Sequence, residues 1–123
     1  MLLENEQARL LTCIGEPTRL QILKLLARGE RYVSEIVDAL GIVQSLISYH
    51  LRHLRECNIV LVRQDAQRTY YRLSDARLAV LVLTSEAIVK DVLLCQTEID
   101  SDQKREEQEY GRKVASTRDV RRQ

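Results

Sequence analysis

The stretch VQSLISYHLRHLREC, residues 43–57, holds most of the unusual polar chemistry of this 123-residue chain. At helical spacing Ile47, Leu51 and Leu54 share one face. The remaining surface offers an amide, hydroxyls, a Tyr-His pair and guanidiniums, from Gln44, Ser45, Ser48, Tyr49, His50, Arg52 and Arg55. Such groups donate hydrogen bonds and carry positive charge. On residue types alone they fit a solvated helix surface as well as a contact with a polyanion. The reactive side chains elsewhere are few. Cysteines stand at 13, 57 and 95 with no CxxC pair, and both histidines, His50 and His53, lie on the same helix. No catalytic triad can be assembled from them. The chain also lacks a glycine-rich phosphate loop, an HExxH pair, a nucleophile elbow and a carboxylate cluster. An enzyme is not expected.

Charge supports the polyanion reading. The net charge is +1, but residues 43–73 carry five arginines against two acids, and residues 74–100 carry five acids against two bases. Positive charge therefore gathers around the polar helix, and a dimer would double it. The interior must be aliphatic, because the chain has no Trp and no Phe and its five Tyr are the only aromatics. A small aliphatic core is marginal alone, so burial of a second surface in a homodimer is expected. An odd number of scattered cysteines argues against a secreted disulfide framework. The start, MLLENEQARLL, carries acids rather than a basic leader, and the longest apolar run, LAVLVL at 78–83, is too short to span a bilayer. A cytoplasmic, reduced protein without membrane contact is expected.

The elements that position the polar helix can be read in order. Leu3, Leu10, Leu11 and Ile14 suggest a first helix broken by Gly15. Glu16-Pro17 opens a second, with Leu20, Ile22, Leu23, Leu25 and Leu26 largely buried, and Gly29 ends it. VSEIVDAL (33–40) forms a short helix with Ser34 as a capping candidate, and Gly41 turns the chain into the polar helix. That helix ends at Cys57-Asn58. The period then changes. IVLVR (59–63) and TYYRL (69–73) read as a hairpin around the polar loop QDAQR (64–68). Asp75 caps a long last helix from Ala76 to about Glu98, with Leu78, Val82, Ile88, Val89, Val92 and Leu93 along it. The expected fold is mainly α with a small β-hairpin: a winged helix-turn-helix, ordered α-α-α-α-β-β-α, in a domain over residues 1–100. Residues 101–123 form a charged tail.

GEPTRLQILKLL, SEIVDALGIVQSLISYHLRHLRECNIV and QRTYYRLSD together resemble the ArsR/SmtB family of small dimeric repressors, over about residues 3–98. The resemblance implies dimerisation through the first and last helices and insertion of the second helix of the motif into the major groove of operator DNA. Carried over residue by residue, it makes Gln44, Ser45, Ser48, Tyr49 and His50 candidates for base and phosphate contacts, with Arg52 on phosphate. His50 is equally compatible with packing. In the wing, Arg63, Gln64, Gln67 and Arg68 would meet the flanking backbone or minor groove. One departure is Val43, where the family usually has a Ser or Thr cap. Its loss costs about 1 kcal/mol, or shifts the helix start to Ser45.

Members of that family leave DNA when a metal ion, metalloid or oxidant binds. Two inherited site types are absent here. The helix before the turn, YVSEIVDAL, has no Cys, and Asp75-Ala76-Arg77 stands where an Asp-x-His ligand pair would begin the zinc site. A third type, seen in a mycobacterial cadmium/lead sensor of the family, would place His53 and Cys57 at the ligand positions, with Cys95 completing a soft set. Cys13 with Cys95 is a further combination. Ordinary packing is the alternative for each cysteine. The expectation is a repressor with no permanent cofactor. Its regulatory effector would be a soft ion, As(III), Cd(II) or Pb(II), with Zn(II) also considered. The alternatives are a thiol-redox repressor and a winged-helix regulator without a metal ligand.

Overall fold

A computed structural model describes residues 2–94 together with Glu109 and Arg112. The chain divides into two compact units, Met1–Ser85 and Glu86–Gln123. The elements run α1 (Leu2–Ile14), α2 (Pro17–Leu26), β1 (Arg31–Tyr32), α3 (Val33–Leu40), α4 (Gln44–Glu56), β2 (Val60–Asp65), β3 (Arg68–Leu73) and α5 (Ala76–Ile88). A π-helical segment, Val89–Leu94, follows. The expected winged helix-turn-helix order is present, with one addition. β1 pairs with β3, so the wing is a three-stranded antiparallel sheet ordered β1-β3-β2. Two residues carry no readable period, and Arg31-Tyr32 becomes a strand only because β3 lies alongside it.

Local chemistry explains most boundaries. Glu16 caps α2, its carboxylate accepting the Arg19 N–H at 2.8 Å, and Pro17 sits where no intrahelical donor is needed. Ser34 does not cap α3. Tyr32 occupies the cap position, and the Glu35 carboxylate reaches back to the Tyr32 N–H at 3.2 Å. Gly41, at φ 66°, closes α3 in the left-handed conformation. Asn58, at φ 60°, does the same after α4, while the Ile59 N–H bonds the Leu54 carbonyl at 2.9 Å. Asp75 caps α5 as expected, accepting the Arg77 N–H at 2.8 Å. The hairpin loop is shorter than expected. Gln64 pairs with Thr69 and Asp65 with Arg68, leaving Ala66-Gln67 as the turn.

α4 begins at Gln44, with Val43 as its cap residue and no side-chain bond to the first turn. The helix start does not shift to Ser45. The Val43 carbonyl still accepts the Leu46 and Ile47 N–H groups at 3.1 and 3.2 Å, so the first turn closes without a cap. Val43→Ser is therefore expected to stabilise folding by about 1 kcal/mol, measured by urea unfolding. An unchanged midpoint would show that solvent already satisfies those donors.

The core is aliphatic. Ile22, Leu23, Ile36, Ile47, Leu51, Leu54, Ile59, Val60 and Val82 are fully buried. Ile47, Leu51 and Leu54 thus fix the rotation of α4 about its axis, which decides which residues it shows to solvent. In α1 the apolar stripe is only partly used: Ile14 is buried, but Leu3 is 74% exposed and Leu11 50% exposed. On α5, Val80, Leu81 and Leu83 are exposed as well. Among the described residues no helix is long and apolar enough to cross a membrane.

Candidate nucleic-acid interface and thiol pair

With its apolar face fixed inward, α4 presents Gln44, Ser45, Ser48, Tyr49 and Arg52 to solvent, and Arg55 beyond them. Tyr49, 51% exposed, stands edge-on to both neighbouring imidazoles, with ring centroids 5.2 Å from His50 and 4.7 Å from His53. That contact holds a large amphipathic ring and its hydroxyl on the outer surface. The two hydroxyls of Ser45 and Ser48, the Gln44 amide and the Arg52 guanidinium form a surface of hydrogen-bond donors and acceptors with positive charge at one end.

His50 is placed differently from the other candidates. It is 6% exposed, and its Nδ1 accepts the Arg19 Nε–H at 3.2 Å. Arg19 also donates to the Cys13 carbonyl at 3.1 Å, and Glu16 Oε2 lies 3.7 Å from His50 Nδ1. For the Glu16 carboxyl, burial pushes upward. The Arg19 and Thr18 backbone N–H groups, with the Arg19 guanidinium nearby, outweigh that and hold it below its ordinary value. The imidazole therefore ties α4 to the α1–α2 corner, and its burial favours packing, one of the two readings open for this position. Helix periodicity places His50 one position before Leu51, at the margin of the stripe, and only the tertiary partner Arg19 decides its side.

In the wing, Gln64 and Gln67 are exposed. Arg63 and Arg68 are exposed but engaged. The Arg63 guanidinium bonds the Glu30 carboxylate through Nε at 2.9 Å and through Nη2, and lies 4.6 Å from the Tyr70 ring centroid. Arg68 sits 4.5 Å from the Tyr32 ring centroid, and Tyr32 meets Tyr70 edge-on at 5.6 Å. Both side chains are thus pre-ordered on aromatic faces. To hold a phosphate, Arg63 must exchange or share its carboxylate partner. Sequence reading did not identify Glu30, Tyr32 or Tyr70, because their roles depend on the β1–β3 pairing.

Two of the four candidate metal ligands come together. Cys13, 5% exposed, donates its thiol to the His53 carbonyl at 3.8 Å, the same carbonyl that accepts the Cys57 N–H at 3.1 Å. The Cys57 thiol lies near enough to the Cys13 thiol to push its pKa up. The His53 imidazole packs against Tyr49. Cys95 lies outside the described residues. Among the described residues no group of three or more His, Cys, Asp or Glu stands close enough to hold a metal ion. A two-thiol donor set fits a soft ion, and a three-donor set would need Cys95.

The Cys13 thiol is pushed up to about 11, first by burial and then by Cys57, with Arg19 opposing. Its folded value thus exceeds its ordinary value of 9.0. The unfolded chain loses this proton first, so stability is intact below about pH 9 and falls as pH rises towards 11, by roughly 2–3 kcal/mol. Urea unfolding at neutral pH and at about pH 10.5 should therefore show a steeper loss for the wild type than for Cys13→Ala. Parallel losses would mean that the thiol ionises freely.

A family-wide profile described as bacterial regulatory protein, arsR family, matches residues 16–61. A probable mercury resistance operon repressor from Streptomyces lividans is 36% identical over 98 residues, covering 77% of this chain and 78% of the relative. The chain belongs to the ArsR family of bacterial regulatory proteins. A biofilm growth-associated repressor from Xylella fastidiosa is 40% identical over 78 residues, covering 63% of this chain and 68% of the relative. Among solved structures, a homodimeric winged helix-turn-helix DNA-binding domain from Mycobacterium bovis superposes with a TM-score of 0.68 at 33% identity, covering 75% of this chain and 85% of that domain. This ArsR-family chain is thus a winged-helix, DNA-binding transcription regulator. Its relatives are repressors and not enzymes. The profile spans α2 to the start of β2, so it includes the whole of α4.

Proposed function

We propose that this chain is a homodimeric repressor. It binds a near-palindromic, double-stranded operator through α4 and the wing, and leaves it when a soft, thiol-seeking ion occupies its cysteines. The observation that carries the reading is the outer face of α4. Three fully buried aliphatic residues lock the helix, Ser45, Ser48, Tyr49 and Arg52 project from the side away from them, and Gln44 is exposed at the first turn. The Gln44 amide matches the donor–acceptor pair on adenine, the hydroxyls suit phosphate or a single base edge, and Arg52 suits phosphate. Gln64 and Gln67 of the wing, with Arg63 and Arg68, serve the flanking backbone.

The exposed apolar residues of α1 and α5, Leu3, Leu11, Val80, Leu81 and Leu83, support a dimer through those helices. Two copies then set the spacing of two reading helices, and an effector that shifts the dimer changes that spacing. As(III), Cd(II) and Pb(II) are the ions considered, with Cys57 central to each donor set and Cys95, His53 and Cys13 as its partners. The DNA-binding and dimerisation domain is assigned to residues 1–100, and the charged segment 101–123, which follows it in sequence, lies outside the described residues apart from Glu109 and Arg112. A second reading, a thiol-redox repressor, is favoured by two cysteines that meet at the His53 carbonyl.

Fluorescence anisotropy of the reduced protein on labelled DNA from upstream of its own gene tests the repressor reading. Two protomers should bind each site, and random DNA should compete poorly. Binding no tighter than to random DNA would overturn it.

A further inference from the structure

We infer that Cys13 and Cys57 of one protomer form a linear bis-thiolate site for a soft, two-coordinate cation such as Hg(II). The inference rests on the repressor reading only for its consequence, release of DNA; the site itself stands on geometry. Cys13 is a buried last-turn residue of α1, and Cys57 is the residue just past α4. Both converge on the His53 carbonyl, Cys13 through its thiol at 3.8 Å and Cys57 through its N–H at 3.1 Å. The Cys57 side chain is near enough to act on the Cys13 thiol. The end of α1 and the end of α4 thus bring the two cysteines to one carbonyl.

The surroundings decide the kind of ion. Zn(II) and Cd(II) favour four donors, and Pb(II) and As(III) three thiolates, but no third His, Cys, Asp or Glu joins this pair among the described residues. A soft d10 cation that is satisfied by two thiolates in line needs no more. Access is provided on the Cys57 side. Cys57 lines a groove of about 460 Å³ together with Leu10, Ile59 and Leu78, and also a polar cleft of about 160 Å³ bordered by Glu6, Glu56 and Arg9. Two acids against one arginine leave the cleft rim net negative, Cys57 meets an entering cation first, and Cys13 closes the site from the apolar side.

The balance is simple. Two thiols lose two protons to solvent, two S–Hg bonds form, and the ion sheds its earlier ligands without any change of oxidation state. Neutralising both thiolates with one dication leaves no net charge in the buried pocket. That favours occupation of a site where burial opposes a free thiolate. Binding would cross-link the end of α1 to the end of α4, and so would join the proposed dimer helix to the proposed reading helix.

The test is Hg(II) titration of the reduced, full-length protein in the presence of excess monothiol. It is read by the ultraviolet thiolate-to-mercury absorption, by native mass and by the sulfur count from X-ray absorption. One Hg(II) per protomer with two sulfur neighbours is expected, released two protons at a time. Cys95→Ser should retain it. Cys57→Ser and Cys13→Ala should each lose monothiol-resistant binding while keeping a wild-type circular dichroism spectrum. Should Cys13→Ala unfold, Cys57→Ser, at a half-exposed position, carries the test. Retention in Cys57→Ser, loss in Cys95→Ser, or a third sulfur neighbour would overturn the site. So would failure to bind Hg(II) in a protein that instead forms a Cys13–Cys57 disulfide with peroxide. Operator binding is followed separately. Mercury bound as expected, with operator affinity unchanged, would overturn the proposed release and leave the site standing. Release by Cd(II) with no two-sulfur mercury site would do the reverse.

Discussion

Gln44→Ala is expected to weaken operator binding by roughly 5- to 150-fold, the equivalent of 1–3 kcal/mol for a bidentate amide–adenine contact. Binding to random DNA should hardly change, because that affinity comes from phosphate contacts. Gln44 is exposed at the first turn of α4, so the variant should keep its circular dichroism spectrum and unfolding midpoint. Arg52→Ala makes the complementary case. It should weaken specific and random binding alike and lower the salt slope by about 1. The pair separates reading from holding on one helix face, by anisotropy at several salt concentrations. An unchanged operator affinity in Gln44→Ala would mean that α4 enters the groove on a different rotation or not at all.

Leu54→Ala is expected to cost about 2–5 kcal/mol of stability. Leu54 is fully buried in the aliphatic cluster beside Ile47, Leu51 and Ile59. No aromatic ring stands in that cluster's fully buried set to fill the space left behind. A domain of this size has on the order of 5–15 kcal/mol in total, so the loss is a large share. Thermal unfolding of the variant should begin near ambient temperature at low protein concentration, and its midpoint should rise with concentration as the dimer forms. A loss under 1 kcal/mol would mean that the surrounding helices close on the cavity, and that α4 is not rigidly set by its apolar side.

Much of this was legible in the residues, and the gaps have physical causes. The apolar side of α4 follows from Ile47, Leu51 and Leu54 at helical spacing, and those three are buried. Asn58 and Gly41 mark helix ends because few residues accept a left-handed backbone. β1 escaped notice because a two-residue strand has no pattern of its own. Ser34 looked like a cap because its type suits one, but the neighbouring Glu35 supplies a longer acceptor to Tyr32. The side taken by His50 depends on Arg19, 31 residues earlier, and no local rule reports that distance in sequence. The Cys13–Cys57 pair is of the same kind. Forty-four positions separate the two, and only the packing of α1 on α4 brings the thiols together. Leu3 and Leu11 failed to bury within one chain for a different reason: their spacing is right for a helix, but the surface they would cover belongs to the proposed second copy.

The most direct test of the account is anisotropy of the reduced protein on its upstream DNA, titrated with arsenite, Cd(II) and Hg(II) in turn. The account predicts tight binding without effector and its loss near one equivalent of at least one of these ions, restored by an excess of chelating dithiol and abolished as a response in Cys57→Ser. Tight binding that none of the three ions disturbs would contradict it, leaving a DNA-binding protein whose cysteines only pack.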